Sequence, residues 1–235
     1  MNTVQAIHYT TQPERWHALA EAIGLAPHGV PQHMWSEFDG DGIHAVHAVE
    51  TGDAAADTTE LHLLVDDLDA VERALGAAGI PNERTVLDDI GPLLTATSAS
   101  GVRVSATQPL RRAADGTVVQ PIWYDTDVAT VRPVLTAFGL VETIAADSGT
   151  WIEFRAPGGG SIAFHRGDTA GVVLGMSSTG DLDALTERLA TVGFDADVHD
   201  EAYNRTALVT TPEGWRLWIN GAYEDMYGYR RVTDA

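Results

Sequence analysis

Apolar and polar positions along the chain follow one recurring order. A short β-rich run such as LHLLV (Leu61 to Val65) comes first, and a stretch of helical period follows it. In Leu182 to Phe194, Leu182, Leu185 and Leu189 fall on one face at helical spacing, and Gly193 supplies the stop. Three more strand-like runs come after the helix, as in ADVHDEAY, RTALVTT and WRLWIN. The last two are joined by Thr211-Pro212-Glu213-Gly214, a sequence suited to a tight turn. The pattern predicts a βαβββ unit.

The unit recurs. Val4-Gln5-Ala6-Ile7-His8-Tyr9 reappears as Val119-Gln120-Pro121-Ile122-Trp123-Tyr124, and Ala22, Gly24 and Leu25 reappear as Ala137, Gly139 and Leu140. A second repeat interleaves with the first: LDAVERALGAAGI from Leu68 matches LDALTERLATVGF from Leu182, and SGVRVSA from Ser100 matches EGWRLWI from Glu213. The order is A, B, A′, B′. Repeats of this kind fix the architecture before any single motif does. The polar stretch Thr107 to Thr117 reads as a linker, so residues 1–106 and 118–235 are expected to form two domains.

Four βαβββ units, a Gly-Leu or Gly-Phe ending to the helices, and a Pro-acidic-Gly hairpin before the last strand resemble the vicinal-oxygen-chelate superfamily, which includes glyoxalases, bleomycin-resistance proteins and extradiol dioxygenases. The resemblance covers almost the whole chain. It implies an α+β fold whose units pair into two half-open barrels, each lining a cavity. It also implies two functions: sequestering a small molecule, or metal-dependent lyase, isomerase or dioxygenase chemistry.

Composition narrows the field. The 235 residues include no cysteine, which removes disulfides, thiolate metal sites and thiol nucleophiles. The formal net charge is −20 and all 14 basic residues are arginine, so nucleic acid and anionic membrane are poor partners and Schiff-base chemistry has no lysine. No run approaches the roughly 20 apolar residues of a membrane helix, and the first residues lack a secretory pattern, so a cytoplasmic protein is expected.

The resemblance locates candidate site residues on the strands. Gln5, Glu60 and Gln120 fall at the first-strand ligand position, with Val4 the alternative register to Gln5. His47 and His165 point inward if Val46 and Phe164 pack under the helices. In the C-terminal barrel, Trp218 stands where chelating relatives carry glutamate, leaving Gln120 and His165 as a set unsuited to a divalent ion. That barrel is expected to be metal-free, with no cofactor, and to hold a planar or cationic ligand. Gln120, Trp123, Tyr124, His165, Glu201, Tyr203, Trp218 and Asn220 are the expected wall and rim, with Trp123 or Tyr124 facing in according to register. The alternative is a divalent metal ion held by Gln5, His47 and Glu60 in the N-terminal barrel. His44 lies on the opposite face from His47, and His8, His17, His28 and His33 show no partner pattern. Gly158-Gly159-Gly160 lacks a phosphate-loop spacing and reads as a hairpin turn. The tail from Tyr223 to Arg231 either closes over a barrel or makes a homodimer contact.

Overall fold

A computed structural model describes residues 2–108, 111, 113–201 and 204–232. The first unit is β1 (Thr3–Thr10), α1 (Pro13–Ala22), β2 (Ala26–Pro27), β3 (Trp35–Gly40) and β4 (Gly42–Ala48). The second is β5 (Thr58–Leu64), α2 (Leu68–Ala77), β6 (Asn82–Leu87), β7 (Gly91–Thr97) and β8 (Arg103–Thr107). Asp67 caps α2 by accepting from the backbone N–H of Ala70 at 2.9 Å. Together the two units form one eight-stranded sheet in the order β2-β3-β4-β1-β5-β8-β7-β6. Its centre is the antiparallel pair of first strands, in which Gln5 lies opposite His62 and Ile7 opposite Glu60.

The third and fourth units repeat this plan with one difference. The third has a first strand in two pieces, β9 (Val118–Val119) and β10 (Ile122–Asp125), then α3 (Val128–Ala137), β11 (Val141–Ala146), β12 (Trp151–Arg155) and β13 (Ser161–Arg166). The fourth begins with β14 (Gly171–Val173) and β15 (Gly175–Ser177), then α4 (Leu182–Thr191), β16 (Ala196–Asp200), β17 (Arg205–Thr210) and β18 (Arg216–Asn220). β19 (Tyr229–Arg231) closes the series.

The second half is therefore two sheets, β14-β10-β13-β12-β11-β19 and β16-β17-β18-β15-β9, rather than one. The break falls at Gln120-Pro121 on one strand and at Leu174 on the other. Pro121 has no N–H for the ladder. The Gln120 N–H still donates to the Gly175 carbonyl at 3.0 Å, so the strands cross from sheet to sheet without parting. The fold is the expected α+β arrangement, and none of the sheets closes on itself.

The helices cover the convex faces and define two cores, each shared by both halves. One joins Leu68, Val71 and Leu75 of α2 to Val131, Val134 and Leu135 of α3, with Trp123, Phe154 and Phe164 beneath. The other joins Trp16 and Leu19 of α1 to Leu182, Leu185 and Leu189 of α4, with Leu217 and Ile219 beneath. Backbone completes the seam: the Val4 N–H donates to the Gly159 carbonyl at 2.9 Å, and the Gly158 N–H donates to the Asn2 carbonyl at 2.8 Å. A Cβ on Gly160, whose φ is +80°, would stand 2.6 Å from the Val4 Cβ. The glycine run is a turn made small because the first strand passes against it.

Candidate functional site

Strand alternation decides what faces each concave surface. On β1, Val4 and Ala6 are fully buried in the cores, while Gln5, Ile7 and Tyr9 line a cavity of 520 Å³ in the first half. Trp35 and Glu37 of β3, His47 of β4, Glu60 and His62 of β5, and Ser105 and Thr107 of β8 complete its polar and aromatic wall. Leu64, Leu87, Ile90 and Leu93 add apolar surface, and Leu87, Ile90 and Trp35 are exposed at the mouth.

The polar groups of this cavity are paired in a definite way. Gln5 Nε2 donates to Glu37 Oε1 at 2.6 Å. Arg111, from the linker, places its guanidinium 2.9 Å from Glu37 Oε2 and 3.1 Å from Asp39 Oδ1. Tyr9 donates its hydroxyl to Glu60 Oε2 at 3.0 Å, and burial together with the Glu60 charge pushes the phenol up. Among the described residues, no arginine lies within ion-pair distance of Glu60. His47 stacks against Tyr9 at 5.0 Å and meets the edge of Trp35 at 5.4 Å.

His62 sits at the floor between two hydroxyls. Its Nδ1 is 2.7 Å from Ser105 Oγ and its Nε2 2.8 Å from Thr107 Oγ1. Burial lowers its pKa to about 4, so the ring is neutral. Alternation from Glu60 places His62 on the same face, a step that the reading of the first-strand positions did not take.

Among the described residues, this cavity gathers no three histidine or carboxylate ligand atoms within 4.8 Å of one another. Both nitrogens of His62 are engaged, Gln5 spends its amide N–H on Glu37, and Glu60 holds Tyr9. His47 is left as the one imidazole, beside carboxylates already matched to a guanidinium or a phenol. The triad Gln5, His47 and Glu60 lines one cavity, with the Gln5 amide N–H donating to Glu37 and one Glu60 oxygen accepting from Tyr9.

The second half carries the same constellation. Trp35-Ser36-Glu37-Phe38 is repeated as Trp151-Ile152-Glu153-Phe154, a match that the sequence reading missed although it was plain in the letters. Tyr124 stacks on His165 at 5.1 Å, and Trp151 meets His165 edge-on at 5.9 Å, the counterparts of Tyr9, His47 and Trp35. Gln120 donates to Glu153 and to Ser161 Oγ, the latter at 3.0 Å, and Asn220 Nδ2 donates to Gln120 Oε1 at 3.3 Å.

The register settles two of the expected wall residues. Tyr124 faces the concave side, and Trp123 does not: it is fully buried beneath α3, because the residues alternating with Tyr124 point into the core. Trp218 lies on the concave side, 40% exposed, with Leu217 and Ile219 buried on the other face. Glu201 sits in the β16–β17 turn, its N–H donating to the Asn204 carbonyl at 2.8 Å, and Tyr203 lies outside the described residues.

What fills the concave side of the third unit is the chain's own tail. Tyr223 donates its hydroxyl to Glu153 Oε1 at 2.7 Å, beside the Trp151 indole N–H at 3.1 Å, and β19 pairs with β11. Desolvation raises the Glu153 carboxyl despite these hydrogen bonds.

This architecture is that of the vicinal-oxygen-chelate fold. The chain is similar to the 2,3-dioxygenase LapB from Pseudomonas sp. KL28, at 12% identity over 98% of this chain and 92% of that one, with a TM-score of 0.64. It is likewise similar to homoprotocatechuate 2,3-dioxygenase from Brevibacterium fuscum, at 11% identity over 99% and 81%, with a TM-score of 0.65. The Mn(II)-bound glyoxalase from Novosphingobium aromaticivorans matches at 16% identity over 94% and 81%, with a TM-score of 0.60. No family model and no curated protein matches the sequence. Identities this low establish the shared fold.

Proposed function

We propose that the protein is a small-molecule-binding member of this fold, that its two domains are residues 1–106 and 118–235, and that the ligand occupies the first of them. The observation that carries this reading is the contrast between two copies of one constellation. In the second copy, Tyr223 covers Glu153; in the first, the cavity is open and rimmed by exposed Trp35, Leu87 and Ile90. Apolar walls with a few placed polar groups are the usual form of a ligand site, and exposed apolar residues at a mouth mark an interaction surface. Trp35 and Tyr9 offer ring faces to a planar molecule, and Glu60, without an arginine partner among the described residues, favours a cationic one. Binding rather than metal chemistry is the reading because, among the described residues, the cavity brings no three histidine or acidic ligand atoms close enough to share one ion.

Proflavine, a planar aromatic cation, tests the proposal. Titration followed by tryptophan fluorescence is expected to give saturable binding to one site. Trp35→Ala and Glu60→Gln should each weaken it by about 1–2 kcal/mol through lost ring contact or charge. Trp218→Ala should leave it unchanged. Loss of binding in Trp218→Ala, with Trp35→Ala and Glu60→Gln unaffected, moves the site to the second half.

A further inference from the structure

The convex face of the first sheet carries a second cluster that the binding cavity does not use. His8 on β1 is fully buried, its ring 4.2 Å from that of Trp16 and 6.0 Å from that of Trp215. Its Nδ1 lies 3.1 Å from Thr59 Oγ1, while its Nε2 has no hydrogen-bond partner among the described residues. A buried polar atom left alone calls for an explanation. One ring nitrogen of His8, one carboxylate oxygen of Asp57 and one of Glu213 lie within 4.8 Å of one another. The three residues come from β1, the turn before β5, and the β17–β18 hairpin of the fourth unit.

Both carboxylates are held in place. Asp57 has a φ of 62°, the one positive value at a non-glycine residue among those described. Its N–H donates to the Tyr9 carbonyl at 2.8 Å, and its Oδ1 accepts from the Trp215 indole at 2.6 Å. Glu213 accepts from the Trp16 indole at 2.9 and 3.1 Å and from the Thr10 hydroxyl. Strain at a non-glycine residue persists where the surroundings impose it, and it gathers at ligand clamps. Among the described residues no arginine pairs with Asp57 or Glu213. Beside them opens a cavity of 280 Å³ lined by Asp57, Thr59, Trp215 and Val172 to Leu174, with room for water.

We propose that His8 Nε2, Asp57 and Glu213 bind one divalent cation of the zinc class, with water completing the shell. An imidazole and two carboxylates are the donors such an ion takes when it keeps an open position. Thr59 Oγ1 stands beside Nδ1, where it can accept from that nitrogen while Nε2 faces the ion, the kind of outer-shell contact that ligating histidines make. The ion offsets two closely spaced negative charges and fastens the first unit to the fourth, and it stands apart from the ligand cavity, on the other face of the sheet.

The test uses the full chain, made without a histidine tag, stripped with a chelator and titrated with Co²⁺. Expected are one Co²⁺ per chain with visible d–d absorption, quenching of tryptophan emission from Trp16 and Trp215, and displacement by Zn²⁺. Asp57→Asn tolerates the left-handed backbone and keeps an acceptor for Trp215; Glu213→Gln keeps one for Trp16. Each should lower Co²⁺ affinity by about tenfold or more while circular dichroism stays native. Zn²⁺ should raise the melting temperature of the wild type and leave these variants unmoved. Failure of the wild type to bind Co²⁺ stoichiometrically overturns the proposal, as does affinity unchanged in both variants. Binding abolished by His47→Ala instead overturns it too, and places the metal in the ligand cavity.

Discussion

Tyr223 and Glu153 form a hydrogen bond of 2.7 Å inside the concave face of the third unit, where the first unit keeps its equivalent, Glu37, at the wall of an open cavity. The bond favours the carboxylate, and desolvation opposes it more strongly. Tyr223→Phe is therefore expected to drive the Glu153 pKa further up, which carbon-detected NMR of the glutamate carboxyls would register. A folded-state pKa above the unfolded one means that Glu153 costs stability as pH rises from the unfolded value through the folded one. Tyr223→Phe should steepen that loss.

Removing the cover has a second expected outcome. Because both halves carry the same Tyr, His, Trp, Gln and Glu set, a chain ended after Gly221 should expose a second cavity of the same kind. Proflavine stoichiometry is expected to rise from one to two. A value that stays at one in a folded truncation shows that Trp218, which replaces a smaller wall residue, closes the second copy by itself.

Acid stability follows from three buried imidazoles. His44, fully buried beside Trp16 and Phe38, and His62, between Ser105 and Thr107, are both lowered to about 4 from an ordinary 6.5, and burial lowers His8 to about 3. Their folded-state pKa values lie below the unfolded ones, so in the metal-free protein their neutral forms support the fold above pH 6.5, and that support is lost as pH falls toward 4 and below. Three protons taken up on unfolding give a slope of up to about 4 kcal/mol per pH unit in this window. Urea melts at half-unit pH intervals measure it, and His62→Gln should remove about a third of the slope.

Gly160 offers a packing test with an internal control. Gly160→Ala adds a methyl 2.6 Å from the Val4 Cβ at φ +80°, whereas Gly214→Ala adds one at φ +94° with nothing within 4 Å. The first is expected to cost about 2–4 kcal/mol and the second about 1 kcal/mol in chemical denaturation. Equal losses would mean that the seam between the halves relaxes without penalty.

Much of this was readable in the letters. The interleaved repeats announce four units, and Leu182, Leu185 and Leu189 mark the buried face of α4. Alternation alone orients His47 toward the cavity and Leu217 and Ile219 away from it. The register of the first strands was not readable, since Trp123 and Tyr124 are equally suited to a wall; burial under α3 decides between them. A tail rich in aromatics gives no sign that one tyrosine returns to a glutamate seventy positions earlier. His8 shows no spacing to a ligand partner because its neighbours, Asp57 and Glu213, are brought to it by two different turns.

The shared cores set an order of events during synthesis. Trp16 and Leu19 pack on Phe38 and Val46 of their own unit, yet the leucines that complete their core lie on α4, in the fourth unit. α2 and α3, adjacent in time, can bury each other much sooner. The contact between α1 and α4 spans most of the chain, and long-range contacts of this kind slow the final collapse. The seam between α1 and α4 can therefore form only after the fourth unit has been made, which makes it the last part of the fold to close.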